Sequence, residues 1–430
     1  MSTTTERPER SSLRRVVLST FAGTSIEWYD FFLFGSAAAL VFPQVFFPES
    51  EPGIGLLLSF MTYGVAFVVR PLGGIVFGAL GDVIGRKNVL IATLLVMGIG
   101  TFLIGCVPGF DTIGFWAPVL LVLLRIVQGL GLGGEWGGAA TLSAEHADGA
   151  GRASGRGLIA SWMQLGVPAG NLLAVAALFV MESTLSEEAF IAWGWRVPFL
   201  ASAVLVLLSF WIRATVAESP LFDAGEREKT PLRTMLRGHW RQVLLTIGLR
   251  IASDVSYYVF AVFALSYITG NLDMPASVGL TGVIVGCLAQ FVVIPVSAHI
   301  SDRVGRRPVY MAGAIAVGVW AFIAWPLIDT ANAALAVVAI ATGIAAQGIM
   351  YGPMAAFITE MFPTKVRSTG SSFGYQVAGI AGGALAPFLA TLLTQTFGST
   401  FSVSVYVAIT AVIAVVASLL ARETTRKELA

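Results

Sequence analysis

Acidic and basic side chains lie inside long apolar segments of this chain, at spacings that suit the binding of a proton and of an anion. Glu27 and Asp30 are three residues apart, so in a helix both carboxylates would lie on nearly the same face. Two acids close together in a medium of low dielectric cannot both ionise easily, and at least one is expected to hold a proton near neutral pH. Asp30 is the first candidate for proton coupling, and Glu27 either shares this role or only orients its neighbours.

Arg125 lies in another apolar segment and always carries a positive charge. Its planar guanidinium could hold the carboxylate of an anionic ligand through two parallel hydrogen bonds. Alternatively, Arg125 forms a static ion pair with Asp30, and Glu135 is a second potential partner. The residue types therefore predict either an anion-binding site or a buried structural pair.

Arg250 and Asp254 form a further charged group within an apolar segment. A charge at the centre of a bilayer costs about 2.5–3.5 kcal/mol on insertion scales, so it must face a polar cavity, find a partner or be neutral. Because these two residues are four apart, they could satisfy each other on one helix face. A structural pair and a role towards a ligand are both open.

The segments that carry these residues are long enough to span a membrane. The chain is 56% hydrophobic and 12% charged, whereas soluble domains carry about 25% charged residues. A spanning helix needs about 20 mostly apolar residues. Twelve such segments are predicted, at about 16–43, 54–81, 88–107, 117–145, 156–182, 194–212, 242–269, 277–300, 308–328, 334–360, 368–396 and 400–421. The sequence therefore predicts an all-α integral membrane protein embedded in a lipid bilayer.

Basic residues predict the orientation of these spans. If the N-terminus is cytoplasmic, all but four of the 26 Lys and Arg residues lie in cytoplasmic segments, the exceptions being Arg70, Arg125, Arg196 and Arg250. Such an asymmetry is typical of membrane proteins, and it predicts that both termini are cytoplasmic and that the chain crosses the plasma membrane many times. The polar residues 1–15 contain no apolar segment ahead of a cleavage site, so no removable signal peptide is expected. A net charge of +1 gives no reason to expect nucleic-acid binding.

A charged hairpin between two spans occurs twice, at residues 78–87 and again at 299–307. A repeat at half the chain length predicts two similar six-helix bundles, residues 1–213 and 242–430, joined by a charged linker at 214–241. The second copy has Ala298 where the first has Gly78. We therefore expect contacts that lock the two halves to be asymmetric. They should depend mainly on the first copy, Asp82 and Arg86, rather than on Asp302 and Arg306.

The motifs together resemble those of the major facilitator superfamily, and within it the metabolite:proton symporter branch. The hairpin matches the superfamily pattern at Gly78, Asp82, Gly85, Arg86 and Lys87. The branch resemblance rests on residues 23–32, 125–138, 193–199, 218–220 and 360–367, and several stretches are similar to carriers of shikimate and other organic acids. It implies two pseudo-symmetric six-helix bundles that alternate access to a central site.

In this superfamily spans one, four, seven and ten line the central cavity. The resemblance thus implies that aromatic and amide residues on these spans, and on span eleven, complete a substrate site with Arg125. The candidates are Trp28, Tyr29, Gln128, Tyr257, Tyr258, Gln347, Tyr351, Tyr375 and Gln376. For each of them, ordinary helix packing or a position at the membrane interface is the alternative.

The resulting hypothesis is a monomeric symporter, not an enzyme, that moves a small organic acid with a proton. The sequence holds no nucleotide-binding motif, metal-ligand cluster or catalytic triad, so the proton gradient rather than a cofactor is expected to drive it. The alternative substrate is a zwitterionic compatible solute such as proline or betaine, which some members of the branch carry. Those carriers have an extended C-terminal coiled coil, whereas about nine residues follow the last predicted span here, which favours the acid.

Overall fold

The computed structural model describes residues 10–84, 86–133, 155–215, 235, 237–363 and 366–425, and nearly all of them are helical. The helices of the first half that correspond to predicted spans are α1 (Arg10–Leu40), α2 (Pro52–Ile84), α3 (Arg86–Cys106), α4 (Trp116–Leu132), α5 (Arg156–Thr184, interrupted at Leu165) and α6 (Arg196–Thr215). Those of the second half are α7 (Trp240–Asn271), α8 (Ala276–Val304), α9 (Arg306–Ile328), α10 (Ala333–Glu360), α11 (Arg367–Gly379, Ile380–Ala384 and Ala386–Phe397) and α12 (Phe401–Leu420).

Most of these helices have the length and composition of membrane spans. Within the described residues, eight are long and apolar enough to cross a membrane, and a ninth span is the pair Glu187–Gly194 and Arg196–Leu207, bent by 42°. Two shorter apolar helices lie at Ala92–Cys106 and Trp116–Gly131. The all-α membrane fold predicted from the apolar segments is confirmed. The predicted end of span four, at 145, and most of the predicted linker lie outside the described residues.

The outer surface of the bundle is apolar, as a lipid-facing surface must be. Val204 and Leu207 on α6 are 67% and 69% exposed, and Val292 on α8 is exposed to a similar degree. The polar and charged side chains of the spans point inward instead, including Asp30, which is 3% exposed. This inside-out distribution follows from the bilayer, because lipid solvates apolar side chains and leaves buried polar groups to find partners within the protein.

The two halves meet where helices of the first half pack against helices of the second. Helix α5 packs against α8 and α10, and α2 packs against α11. An amide also crosses the interface where Gln376 on α11 donates a hydrogen bond from Nε2 to the carbonyl of Gly133 beyond α4, at 3.2 Å. The interface therefore contains polar contacts as well as apolar packing.

Two of the interface helices contain a π turn near the centre of the molecule. In α7 it spans Val259–Phe263, immediately after Tyr257 and Tyr258, and in α11 it spans Ile380–Ala384. A π turn shifts the residues on either side relative to a regular helix, and such turns are frequent at functional sites. The tyrosines of α7 thus lie where the helix changes register.

Helices α1 and α5 approach so closely that glycine is required at Gly170. A Cβ atom there would clash with the carbonyl oxygen of Ser25 and the amide nitrogen of Tyr29, both of which are backbone atoms. We expect Gly170→Val to destabilise the protein by about 3 kcal/mol, the upper end of the usual cost of overpacking. Thermal unfolding in detergent measures this loss. Gly270→Val is the matched control, because a Cβ atom at Gly270 has nothing within 4 Å. Equal melting temperatures for the two variants would contradict the prediction.

Candidate functional site

A small cavity lies where the two halves meet, near the centre of the bundle. Its volume is about 20 Å³, enough for a water molecule. The first half contributes mainly apolar groups and the second half mainly polar ones. The lining residues are Trp28, Phe32 and Val167 from the first half, and Arg250, Asp254, Tyr257, Tyr258, Gln290, Gln347, Tyr351 and Tyr375 from the second.

Arg250 is the cation in the wall of this cavity. It is 1% exposed, and its Nε atom is 2.9 Å from Oδ2 of Asp254, one helical turn further along α7. The two atoms form an ion pair but lack the geometry of a hydrogen bond. Nη1 of Arg250 donates to the carbonyl oxygen of Tyr375 at 2.6 Å, and the guanidinium lies over the ring of the same tyrosine. Arg250 is therefore held by α11 as well as by its own helix.

Two glutamines form a hydrogen-bonded chain on the polar side of the cavity. Gln290 on α8 donates from Nε2 to Oε1 of Gln347 on α10 at 2.7 Å. Gln347 in turn donates to the hydroxyl of Ser253 on α7 at 2.6 Å. The Oε1 atom of Gln290 has no hydrogen-bond partner in the described part of the chain. Sequence reasoning named Gln347 but missed Gln290, although a glutamine inside an apolar span is itself a signal.

Helix α5 contributes two amides that reach across to the second half. Asn171 donates from Nδ2 to the hydroxyl of Tyr257 at 2.8 Å, and Gln164 donates to the backbone carbonyl of Tyr351 at 3.3 Å. These residues are seven apart and therefore lie on the same face of the helix. Neither was predicted, because α5 was not among the spans expected to line the cavity.

Asp30 lies in a separate polar cluster within the first half. Its carboxylate lies beside the side chain of Thr101 on α3 and interacts electrostatically with Arg125 on α4. Gln128 joins the cluster, because it accepts a hydrogen bond from Nη1 of Arg125 at 2.9 Å and donates to Thr101 at 2.7 Å. Oδ1 of Asp30 is buried and has no hydrogen-bond partner among the residues that the structure describes. The predicted proximity of Asp30 and Arg125 is present, and Thr101 is an additional member.

Aromatic rings enclose Arg125, which is not part of the cavity wall. Its guanidinium carbon lies 4.0 Å from the ring centre of Phe34 and 4.8 Å from that of Phe31. Its Nε and Nη2 atoms have no hydrogen-bond partner within the described ranges. Neither Arg125 nor Gln128 lines the cavity. A guanidinium over ring faces gains cation–π stabilisation, which explains how a buried charge is tolerated here.

Glu27 has a different neighbour from Asp30, although the two are only three residues apart. It interacts electrostatically with Arg70 on α2, whose guanidinium lies 4.4 Å from the ring centre of Phe31. The predicted pair of acids on one helix face is thus divided between Arg70 on one side and Thr101 and Arg125 on the other.

The remaining predicted site residues take several positions. Tyr29 donates its hydroxyl to the carbonyl of Pro198 at 2.8 Å, a packing contact between α1 and α6 that is outside the cavity lining. Gln376 lies outside that lining and contacts Gly133. The predicted residues that do line the cavity are Trp28, Tyr257, Tyr258, Gln347, Tyr351 and Tyr375. Three predicted residues cannot be placed: Glu135 and the side chains of Asp82 and Arg86 lie outside the described part of the chain.

The second copy of the hairpin joins the two halves at one end of the molecule, here called the hairpin face. The carboxylate of Asp302 accepts hydrogen bonds from the backbone amides of Gly157 and Leu158, at 2.9 and 3.0 Å, where α5 begins. Arg306 donates to Asp302 at 2.7 Å and to Glu360 at 3.2 Å. A carboxylate at a helix N-terminus interacts favourably with the free amides and the helix dipole.

The residues after α12 add hydrogen bonds to this network at the same end of the molecule. Thr424 donates its hydroxyl to Glu360 at 2.5 Å, and Glu423 accepts hydrogen bonds from the backbone amides of Arg306 and Arg307. Burial raises the pKa of the Glu423 carboxyl, but hydrogen bonds from the Thr425 hydroxyl and from the amides outweigh it, so the pKa lies below its ordinary value. The second copy of the hairpin therefore forms a complete network despite its altered sequence.

At the opposite end the two halves also touch, through fewer polar contacts. Glu182 at the end of α5 accepts a hydrogen bond from the amide of Ser277 near the start of α8, at 3.3 Å. Gln395 on α11 donates to the carbonyl of Gly53 on α2 at 3.2 Å. Within the described residues the two halves thus touch at both ends of the molecule, and the small cavity lies between these contacts.

Comparison with known proteins supplies a family context for this geometry. A model of the family described as "Sugar (and other) transporter" matches residues 16–236 and 223–430. The chain is 39% identical to the inner membrane metabolite transport protein YhjE of Escherichia coli, with 97% of this chain and 96% of the relative aligned. It is also 39% identical to the shikimate transporter of E. coli over 98% of both chains, and 32% identical to the proline/betaine transporter of E. coli over 97% of this chain and 85% of the relative.

Solved structures agree on the fold. The xylose transporter XylE from E. coli, in a partially occluded inward-open conformation, superimposes with a TM-score of 0.72 at 19% identity. The superposition covers 97% of this chain and 100% of XylE. At this identity the likeness concerns the fold, and it confirms the predicted arrangement of twelve helices in two six-helix bundles.

Proposed function

The chain belongs to the sugar (and other) transporter family within the major facilitator superfamily, and on this premise we propose that it is a proton symporter of a small organic acid. The observation that carries the proposal is Arg250. It is a buried guanidinium in the wall of a small cavity between the two halves. A guanidinium in such a place binds a carboxylate strongly, because its planar fork matches the two oxygens and little water competes.

The other lining residues suit an acid that carries hydroxyl groups and a flat apolar surface. Gln290 has an acceptor atom without a partner among the described residues, and four tyrosines line the same side. Trp28 and Phe32 present aromatic rings, stacked 5.3 Å apart between ring centres, on the opposite side. Ring faces bind the apolar surface of a cyclic compound. The relative that is named a shikimate transporter supports this class of substrate.

We assign proton coupling to Asp30, with Arg125 as its electrostatic partner rather than as the substrate anchor. The support is their proximity in the first half and their separation from the cavity lining. A carboxylate that is 3% exposed and has one oxygen without a hydrogen bond gains most from binding a proton. Protonation would loosen its attraction to Arg125 and permit α1 and α4 to shift.

Transport would follow from rocking of the two bundles about the cavity. In this proposal the hairpin-face contacts and the contacts at the opposite end break in turn, so that the cavity opens to one side at a time. The concentration of basic residues near the hairpin face supports a cytoplasmic location for that face and for both termini.

A zwitterionic compatible solute is the second candidate, because one feature of the cavity favours it. Arg250 and Asp254 together present a positive and a negative group to the same space. A solute such as proline could place its carboxylate on the first and its ammonium on the second, next to aromatic faces that also attract cations. Relatives named proline/betaine transporters agree with this candidate.

Counterflow in proteoliposomes tests the proposal and separates the two candidates. Vesicles loaded with unlabelled shikimate, a simple monocarboxylate, proline or betaine are offered the labelled compound at several pH values. We expect counterflow of an acid, and accumulation of that acid when a proton gradient is imposed. Counterflow of proline or betaine alone would favour the second candidate. Uptake that is indifferent to the proton gradient would overturn symport.

Replacing Arg250 by lysine tests whether it is the substrate anchor. A point charge cannot form two parallel hydrogen bonds with a carboxylate. Loss of one charge-assisted hydrogen bond is worth about 1.5–3 kcal/mol, so the affinity for the transported acid should fall about tenfold to a hundredfold. Inhibition by a neutral amide analogue should change much less. The matched variant is Arg125→Lys, for which we expect impaired accumulation but little change in the affinity for the acid relative to that for the amide. If Arg125→Lys lowers this relative affinity and Arg250→Lys does not, Arg125 is the substrate anchor.

A further inference from the structure

Asp254 is a buried acid in the cavity wall, and within the described residues its ion pair is with Arg250. It is 7% exposed, and its Oδ2 atom is 2.9 Å from Arg250 without accepting a hydrogen bond. By contrast, Asp302 at the hairpin face accepts two backbone amides and a guanidinium. Asp302 thus has several hydrogen-bond donors around it, whereas the described ion pair of Asp254 is with Arg250 alone.

The groups that act on Asp254 from the surrounding helices are few. The cations are Arg250 on its own helix and Arg70 on α2, and Arg70 also interacts with Glu27. The remaining titratable neighbours are tyrosines of α2, α7, α9, α10 and α11, namely Tyr63, Tyr258, Tyr310, Tyr351 and Tyr375. Within the described residues, no second carboxylate shares this environment. The charge balance at the cavity is therefore set by Arg250 and Asp254.

We propose that Asp254 is a second proton-binding site, which is loaded when a carboxylate of the substrate occupies Arg250. The inference rests on the proposed function in one respect, namely that the substrate is an acid whose carboxylate reaches Arg250. With that anion bound, two carboxylates face one guanidinium in a space that admits hardly any water. One of them then takes up a proton, because two like charges at close range in low dielectric do not both stay ionised.

The proton goes to Asp254 rather than to the substrate because of geometry. Asp254 approaches Arg250 at Nε, out of line for a hydrogen bond. A mobile substrate carboxylate can align with the guanidinium and form two hydrogen bonds, so it holds the negative charge better. The proton comes from the aqueous phase to which the cavity is open when the substrate binds. It is released with the substrate into the aqueous phase on the opposite side. The occluded site thus keeps its net charge while an anion crosses.

A substrate-free experiment tests the proton affinity of Asp254 directly. In Arg250→Gln the competing cation is removed, and infrared difference spectroscopy of the reconstituted protein detects whether a buried carboxylic acid is present at neutral pH. We expect the protonated carboxyl band in Arg250→Gln, and its absence from the double variant Arg250→Gln/Asp254→Asn. Asp254 that stays ionised in Arg250→Gln would overturn the proposal.

A second measurement uses shikimate as the probe and does not depend on the folding of Arg250→Gln. Calorimetric titrations in buffers of different ionisation enthalpy count the protons taken up per shikimate bound. The wild type should take up close to one proton above neutral pH, and Asp254→Asn close to none, while exposed Asp273→Asn should match the wild type. Undiminished uptake by Asp254→Asn would refute the inference. If the wild type does not bind shikimate, the proposed substrate is wrong, and the infrared experiment still decides the role of Asp254.

Discussion

Asp30→Asn is expected to lower the accumulation of substrate against its gradient while leaving exchange across the membrane intact. In symport of a monoanion with two protons, one on Asp30 and one on Asp254, a pH difference of one unit at zero membrane potential drives about hundredfold accumulation, since each proton contributes about 1.4 kcal/mol, a factor of ten. An asparagine at residue 30 cannot take up or release its proton, so accumulation should fall to about tenfold, the ratio that the proton on Asp254 supports. The amide has nearly the size and shape of the carboxylate, so the packing beside Thr101 should persist.

Labelled acid uptake into proteoliposomes with an imposed pH gradient measures accumulation, and counterflow in the same vesicles measures exchange. Asp111→Asn is the matched control, because Asp111 is an exposed acid in the same half and should retain both activities. Accumulation by Asp30→Asn equal to that of the wild type would show that Asp30 does not couple a proton. Asp254→Asn in parallel should also retain about tenfold accumulation, driven by the proton on Asp30.

Asp302→Asn is expected to open the hairpin face. The variant loses the charge that caps the start of α5 and that pairs with Arg306, and among the described residues the Arg306 guanidinium keeps Glu360 as its carboxylate partner. Hydrogen bonds to charged groups are worth about 1.5–3 kcal/mol, so opening at this face should become about tenfold to a hundredfold more frequent. The population should shift towards the conformation that is open on this side.

Hydrogen–deuterium exchange in nanodiscs measures this shift through the peptide that contains Gly157 and Leu158, whose amides bond to Asp302. Faster exchange of that peptide is the expected result. Asp329→Asn provides the control, because Asp329 accepts hydrogen bonds from Tyr267 and Thr400 within the second half and does not join the two halves. Unchanged exchange in Asp302→Asn would mean that apolar packing between α5 and α8 holds this face closed by itself.

The unequal roles of the three buried arginines illustrate what can be read from residue types and what cannot. Arg70, Arg125 and Arg250 all lie in apolar segments, so the sequence alone shows that each is a charge that needs a partner or polar surroundings. Their environments differ because α2, α4 and α7 present different faces to the centre of the molecule. Aromatic rings enclose Arg125, whereas Arg250 lines the cavity.

The two acids of α1 make the same point at shorter range. A spacing of three residues predicts nearly one face, yet Glu27 interacts with Arg70 while Asp30 interacts with Thr101 and Arg125. Residues three apart differ by about 60° around a helix axis. Helix α1 has α2 near Glu27 and has α3 and α4 near Asp30. The small rotation is sufficient to give each carboxylate its own partners.

By itself, the sequence determined the membrane class, the helix positions and the repeat of two halves, because these depend on the length and composition of local segments. It also marked the charges that had to be accommodated within the bilayer. Only the tertiary structure decided which of them meet, placing Arg250 and Asp254 at the cavity and Asp30 with Arg125 apart from it. The reason is physical: hydropathy specifies that a helix spans the membrane, but its rotation and its partners are set by side-chain packing between helices that are distant in the chain.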